Sequence, residues 1–566
     1  MELYINQKTV LAKQGQTLRD LICQLGMDGD TLSCKALAAK IAGEVFNLNY
    51  VPVRESELSG ERPSVRRAMA ASGGVVDVLT YQDPAGRDVY ARTTQFILFL
   101  AIHRLWPDAR AKMNCTVGKA LYVEVFGAPD FSTALLKQEV QRIVDADIPL
   151  IRRVAPTENA RAHFEKENRP DAAELLAWRT EPTFSFYQQE DFADYYYGEL
   201  AASTGCMQVW DILPAEGGFM FLFPDNHNPN HVAHHEDLPK FLRVSQEGER
   251  WCELMECEHV ADLNNFVRTG RIRELIRVNE ALHEKRFSQV ADMICQQNAK
   301  IVMLAGPSSS GKTTSANRLA TQLRVYGKKP ILMSLDDYYI DRDKLTPGPD
   351  GQIDFEHINT IDTELFSEHL YALLHGESVE LPAFDFLSGK RAWKGHKLSL
   401  TDASVIIVEG LHALNPVLLP ENLDANVVFK LYVSPLLPLN LDDHNRIPTS
   451  LLRLLRRTVR DFETRGSSVQ KTMSMWDSVR RGEERWIFPY QEQADVIFNS
   501  STLYELSVLK RHIYPLLLAV EPEDRCYEQV RGIVKVLNYV LEADVDDEIP
   551  PTSIVREFIG GNAFYK

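Results

Sequence analysis

The sequence predicts an α/β fold in which a parallel sheet with helices on both faces follows a small β-rich domain and a mixed α+β domain. Three observations predict it. From about residue 299 to 500, short and nearly continuous apolar runs (KIVMLAG, KPILMSLDD, ASVIIVEG, NVVFKLYVS) alternate with helical patterns, as strands buried on both faces require. The first run leads into a glycine-bounded stretch, GPSSSGKTT (Gly306 to Thr314), and then into the helical segment KTTSANRLATQLRVYG. The front half instead reads as short strands and separate amphipathic helices, and 566 residues leave room for three to four domains at roughly 150 residues each.

Taken in order, residues 1–60 read as two short strands, a turn and an amphipathic helix (ELYINQKTVLAKQGQTLRDLICQLG), then a strand pair around Gly43. SELSGERPS, 56–64, has linker composition. Residues 65–270 form the mixed region, whose clearest helices are TTQFILFLAIHRLW and STALLKQEVQRIVDAD, the second opened by Ser132 as a cap. A helical connection over 271–298 enters the parallel-sheet domain of 299–500, and 501–566 is a mostly helical extension.

The composition, 45% hydrophobic and 25% charged, is that of a soluble chain with several cores. No apolar run reaches the roughly 18 residues of a membrane span. The start lacks a basic region followed by an apolar core, and eight scattered cysteines do not form a disulfide framework, so a reduced, cytoplasmic setting is expected. A net charge of −17 argues against general adhesion to nucleic acid. Cations for a phosphate must therefore be concentrated locally, and the stretch from Arg446 to Arg485 does this.

Gly306, Gly311, Lys312 and Thr313 fit G-x-x-x-x-G-K-[ST], between a strand and a helix. This predicts the sheet of a P-loop NTPase. The loop residues Gly306, Ser308, Ser309, Ser310, Gly311, Lys312, Thr313 and Thr314 would turn N–H groups toward phosphate oxygens at a helix N-terminus. Lys312 would reach the outer phosphates of ATP, and Thr313 would hold Mg²⁺. SLDDYY, 334–339, ends the second strand on the edge where open α/β sheets bind ligands, and one of its aspartates would accept a hydroxyl proton. VIIVEG puts Glu409 at the end of another strand, suited to the metal. In TSLLRLLRRTVRDFETRG, Arg453, Arg456 or Arg457, and Arg460 recur at helical spacing before Arg465-Gly466. Such a helix would close over a triphosphate and neutralise charge developing there.

The order GPSSSGKTT, SLDDYY, PAFDF, VIIVEG, RRTVRDFETRG resembles the uridine kinase and phosphoribulokinase family over about 300–500. The resemblance implies an ATP- and Mg²⁺-dependent kinase. It makes Asp336 the base on the acceptor hydroxyl, with Lys312, Arg460 and Arg465 acting on the transferred group. It also implies that Tyr339, Phe355, Glu356 and Phe384 border the acceptor, and that Arg457 joins Arg460 and Arg465 over the phosphates. Three departures accompany it. The family's pyrimidine-reading histidine falls at Gly389, a second lid arginine is replaced by Ser467, and an extra stretch, PLNLDDHNRIPTS, precedes the arginine helix. In that stretch Asp443, His444 and Arg446 are candidate substrate contacts, as is Arg391 beside Gly389. Transfer to a nucleoside or related sugar hydroxyl is expected; pyrimidine specificity is not.

The first 60 residues resemble a TGS domain, which implies a β-grasp-like fold. Residues from about 90 to 215 resemble the second N-terminal domain of threonyl-tRNA synthetase, an editing domain. Here the helix begins RTTQF, with no histidine at either place, and YYYGELAASTGC lacks the matching Cys and His, so editing is not expected. Residues 1–60 hold six Lys/Arg against seven Asp/Glu, no footprint for RNA. The alternative function is a nucleotide- or tRNA-sensing regulator that uses the P-loop as a switch. Binding of tRNA and a homo-oligomeric state are left open. Two clusters carry metal-ligand residue types: His227, His231, His234 and His235, and Cys252, Cys257 and His259. The C-x₄-C spacing is looser than that of the usual zinc fingers.

Overall fold

The computed structural model describes residues 2–52, 73–346, 354–385, 388–421 and 423–564. The linker stretch 56–64 lies outside them.

Alternating burial builds the first sheet. Glu2–Ile5 and Lys8–Leu11 form a hairpin, and Leu18–Gln24 is a helix whose Thr17 and Asp20 cap each other reciprocally. Ala38–Ile41 and Glu44–Phe46 pair next, around Ala42 and Gly43. The middle strand comes from beyond residue 60: Val75–Leu79 runs parallel to Glu2–Ile5 and antiparallel to Ala38–Ile41. The helix Pro84–Leu105, buried over most of its length, then packs with a four-stranded antiparallel sheet that includes Arg110–Val117. Its middle is tied to the segment ELAAS, where Arg92 Nε donates to the Glu199 carbonyl and Ala201 N donates to Thr93 Oγ1.

Three helices follow: α1 (Pro239–Leu254), then Val260–Arg268, then the 26-residue α2 (Ile272–Gln297). Gly270, at φ +73°, breaks what the sequence presents as one helical run. Beyond α2 come β1 (Ile301–Ala305), α3 (Lys312–Val325), β2 (Lys329–Ser334), β3 (Ser404–Glu409), β4 (Val428–Ser434), α4 (Thr449–Arg465), α5 (Val469–Trp486) and β5 (Val496–Asn499). The strands form an all-parallel sheet in the order β2-β3-β1-β4-β5.

Residues of β1 explain why the sheet is covered twice. Val302 and Leu304 enter one core with residues of α2, α3 and α4, while Ile301 and Met303 enter another with Phe366 and Leu370 of the helix Thr363–Leu374. Period-two alternation in an apolar strand thus feeds both faces. Helix α2 belongs to this core through Leu275, Ile276, Phe287 and Val290, and its Glu280 and Glu284 pair with the buried Arg318 of α3 at 3.3 and 2.8 Å. The C-terminal extension returns to the same domain, with Ile554, Val555 and Phe558 fully buried.

Candidate active site

Strand order makes the site. β1 sits between β3 and β4, so the chain leaves neighbouring strands in opposite directions and opens a crevice at their carboxyl ends. The loop Gly306–Gly311 leaves β1 into that crevice. Ser309 at φ +59° and Gly311 at φ +88° turn it. A side chain at Gly311 would meet Ile554 Cγ2 at 2.4 Å, so backbone angle and neighbour both demand glycine there.

Lys312, Asp336 and Glu409 converge on this point from the ends of three structural units. Glu409 Oε1 accepts from Thr313 Oγ1 at 3.4 Å and from Ser334 Oγ at 3.2 Å. Burial and the Asp336 charge push Glu409 up to about 7, against the pull of Lys312. Asp336 is exposed yet has protein packed around its carboxyl, and this desolvation raises it above the usual carboxylate range. Lys312, Arg465 and Arg460 oppose that rise, which places these charges around one carboxylate. Burial lowers Lys312, while Glu409, Asp336 and Glu557 support its charge.

The arginine helix divides into two faces. Arg453 and Arg456 are buried and hold α4 to the back of the loop. Arg453 donates to the Ser308 carbonyl at 2.9 Å and pairs with Glu483 of α5, while Arg456 makes a two-pronged contact with Glu505 at 2.7 and 3.0 Å. The expectation of a mobile arginine lid does not apply to these two. Arg457 donates to Ser308 Oγ at 2.8 Å, and Arg457, Arg460 and Arg465 all pair with Asp461 at 3.3, 2.8 and 3.5 Å. Asp461 thus gathers three guanidinium groups beside the loop.

Across the crevice, Tyr339 and Phe384 pack with ring centroids 5.5 Å apart. Phe355 is half exposed, and Glu356 packs on Gly482 of α5, where burial and the nearby Glu483 push it up to about 7. Arg391 is committed elsewhere: its guanidinium bonds the carbonyls of Tyr338 and Tyr339 and Asp362, and so fixes the backbone that carries Tyr339. Gly389 has φ +69°, and a side chain there would lie 2.5 Å from Arg342 Cδ. A histidine there would strain the backbone and displace the Arg342 side chain.

His444 and Arg446 face the front half instead. His444 stacks on Phe99 at 3.5 Å and bonds Asp194 at 2.8 Å, while Arg446 donates to Thr116 Oγ1 at 2.8 Å. The extra stretch as a whole is a docking segment: Asn440 Nδ2 donates to the Met113 carbonyl and Met113 N to the Asp443 carbonyl, both at 2.8 Å. Asp443 also takes Arg110 and His259, at 2.7 and 3.0 Å. Cys252 and Cys257 are buried with their thiols pushed up by desolvation, and His227, His231 and His234 point to solvent. Among the described residues, no three His, Cys, Asp or Glu side chains are grouped to hold a metal ion. No helix among them is long and apolar enough to cross a membrane.

Sequence reading missed three residues here and the role of a fourth. Glu483 accepts from the Ser308 N–H at 2.9 Å, and Glu557 from Thr314 N and Oγ1 at 3.1 and 2.7 Å. Arg453 appeared only as part of the lid. His412, three residues past Glu409, is buried and held down at about 4 by desolvation, hence neutral.

Residues 301–507 match the Phosphoribulokinase / Uridine kinase family. A uridine kinase of Staphylococcus haemolyticus (strain JCSC1435) is 31% identical over 201 residues, 35% of this chain and 87% of that protein. The chain belongs to the phosphoribulokinase / uridine kinase family. The uridine kinase of Staphylococcus aureus (strain JH9) is 32% identical over 198 residues, 35% of this chain and 86% of its own length. Among solved structures, a putative fructose transport system kinase from Silicibacter sp. TM1040 aligns at 21% identity and TM-score 0.29, over 38% of this chain and 98% of that one. The family region of 301–507 runs from β1 into the helix Glu505–Leu518, so it contains the loop, Asp336, Glu409 and the arginine helix. Family membership makes this part of the chain a kinase-type phosphotransferase.

Proposed function

We propose that the protein transfers the terminal phosphoryl group of ATP to a hydroxyl of a nucleoside or related sugar. The observation that carries this reading is the convergence of Lys312, at the start of α3, with Asp336 and Glu409, just past and at the ends of adjacent parallel strands, facing Arg460 and Arg465. A switch NTPase needs a group that positions water; it does not need the aromatic wall of Tyr339 and Phe384 beside the carboxylate. The uridine kinase relatives favour a nucleoside acceptor.

In this reading the loop amides and Lys312 bind the triphosphate, and Asp336 takes the proton of the attacking hydroxyl as the new O–P bond forms. Arg457, Arg460 and Arg465 balance the charge on the transferring group, and the packed walls exclude water. Thr313 and Glu409 offer hard oxygens on one side of the loop, a donor set suited to Mg²⁺. When bound, the ion would neutralise charge on the outer phosphates. Tyr339, Phe355, Glu356 and Phe384 would hold the acceptor, and Arg391 would act through the backbone it anchors.

The test is ADP release by the full chain with ATP and Mg²⁺ across nucleosides, ribose derivatives and phosphosugars. One acceptor should stimulate release, and Asp336→Asn should lose transfer while keeping ATP affinity within a few-fold. Normal turnover by Asp336→Asn would refute the base assignment. Flat, acceptor-independent hydrolysis would refute the kinase.

A further inference from the structure

A cavity of about 420 Å³ lies on the seam between the front half and the docking segment, and no residue of the phosphate loop lines it. Its floor is apolar and buried: Phe99, Ile102, Ala111 and Phe192. Seams of this kind are where ligand pockets concentrate.

One polar atom of the floor is left over. His444 is 6% exposed, and Phe99 covers one face of its ring at 3.5 Å. The uncovered edge lines the cavity. Nδ1 lies 2.8 Å from Asp194 Oδ2 and 2.7 Å from Arg169 Nη1. Nε2 has no hydrogen-bond partner among the described residues, and it is not one of the atoms that protein seals from solvent. A polar atom held this deep ordinarily has a partner. Asp194 only accepts and Arg169 only donates, so the two select opposite tautomers; Nε2 meets the cavity bare in one and with its hydrogen in the other. A hydroxyl serves both, because it donates and accepts.

Charges around the mouth show what else an occupant must carry. Asp171 is spent on Arg169 at 3.0 Å, and Asp443 on Arg110 at 2.7 Å and His259 at 3.0 Å. His103 faces Asp191 at 3.4 Å, and Glu167 faces His163 at 2.9 Å. Asp108 and Glu174 also line the cavity, stand exposed, and have no side-chain hydrogen bond or ion pair among the described residues. Every basic side chain of the lining thus has a carboxylate, while two carboxylates have no cation. They repel an anion and favour an ammonium group.

We infer that this cavity is a binding site for a small amine with an apolar body, whose hydroxyl meets His444 Nε2 and whose ammonium sits beside Asp108 and Glu174. Such an occupant touches both halves of the chain, and the docking segment it touches leads directly into α4.

The experiment is calorimetric titration of the full chain, without nucleotide, using tyramine, 2-phenylethylamine and 4-ethylphenol. The second lacks the hydroxyl and the third lacks the ammonium. Saturable one-to-one binding of tyramine is expected, with 2-phenylethylamine about tenfold weaker for the loss of one buried hydrogen bond. 4-Ethylphenol should be about threefold weaker, a gap that closes at high salt because the mouth is exposed. Asp108→Asn with Glu174→Gln, both on the surface, should bring tyramine down to the affinity of 4-ethylphenol. His444→Phe should erase the advantage over 2-phenylethylamine, but it also strips Asp194 of a partner, so the site is located without a variant. Diethyl pyrocarbonate should label His444 in the free protein, read by peptide mass spectrometry, and tyramine should protect it while the exposed His375 labels equally. No saturable binding of tyramine, equal affinity for tyramine and 2-phenylethylamine, an unchanged double variant, or a His444 that is unlabelled or unprotected would each overturn the inference. None of these arms depends on the kinase reading.

Discussion

Replacing Glu557 by glutamine should tighten ATP binding while slightly lowering stability. The carboxylate accepts from both Thr314 N and Thr314 Oγ1, in the first turn of α3, where a phosphate would seek the same donors. Glu557 thus occupies a helix N-terminus with a negative charge, worth about 0.3–1 kcal/mol to the nucleotide-free protein. A triphosphate in the loop must displace it or tolerate it. A unit carboxylate about 6 Å from one unit of phosphate charge, at an effective dielectric near 20, repels it by about 3 kcal/mol. Crevice water and salt cut this by half or more, which leaves about 1–1.4 kcal/mol, or a five- to tenfold gain in ATP affinity for Glu557→Gln. Glutamine keeps the shape and one acceptor, so Ile554 and Phe558 stay packed. The assay is isothermal titration with ATP and Mg²⁺ beside a thermal melt of the free protein. Tighter binding with a lower melting temperature is the expected pair, since the two effects have opposite signs. Unchanged or weaker ATP binding would show that the carboxylate helps to hold the nucleotide, and would refute the argument.

Arg456→Met should destabilise the protein by about 3–5 kcal/mol, because Glu505 is left charged in a buried site; adding Glu505→Met should restore most of it in urea unfolding. Gly389→His should cost about 1–3 kcal/mol through its φ of +69° and the contact with Arg342, and a panel of nucleosides should show no new preference for uridine. Glu409 and Glu356 both titrate near 7 in the fold, above their ordinary range. At these two carboxylates the folded state therefore binds more protons than the unfolded chain from about pH 4.5 to 7, and their stabilisation falls as pH rises through that window. Glu167 and Glu249, also pushed up to about 7 by burial, add to it and outweigh His283 and His412, which burial holds down at about 4 and which act the other way below about pH 6.5. Nucleotide-free protein should melt higher at pH 6 than at pH 8, with a smaller difference in Glu409→Gln. Asp225, held down at about 2 by Lys119 and backbone donors, acts only at lower pH and does not mask the trend.

How far the sequence reached depended on whether an element's role was set locally or by a partner distant in the chain. The loop, its strand and its helix are local: glycine spacing and an apolar run dictate them, and KIVMLAG, GPSSSGKTT and the helix follow one another in the structure as in the sequence. The placement of Asp336 and Glu409 was legible because a carboxylate at the carboxyl end of a strand in a parallel sheet, whether the edge strand β2 or the buried β3, falls on the edge where the crevice opens. The arginine helix was half legible. Spacing put several arginines on one helix but could not separate those that pair with Glu483 and Glu505 behind the loop from those that Asp461 gathers beside it, because the first two carboxylates come 30 and 49 residues later in their contacts. His444 and Arg446 were read through their neighbour α4, whereas Phe99, Asp194 and Thr116, more than three hundred residues away for the last, decide where they point. The same holds for Glu557: nothing around it in VREFIG marks it, and only the return of the C-terminal segment to Thr314 gives it a place beside the loop. Local chemistry writes a phosphate loop into the sequence; what presses on that loop from outside is written in the fold.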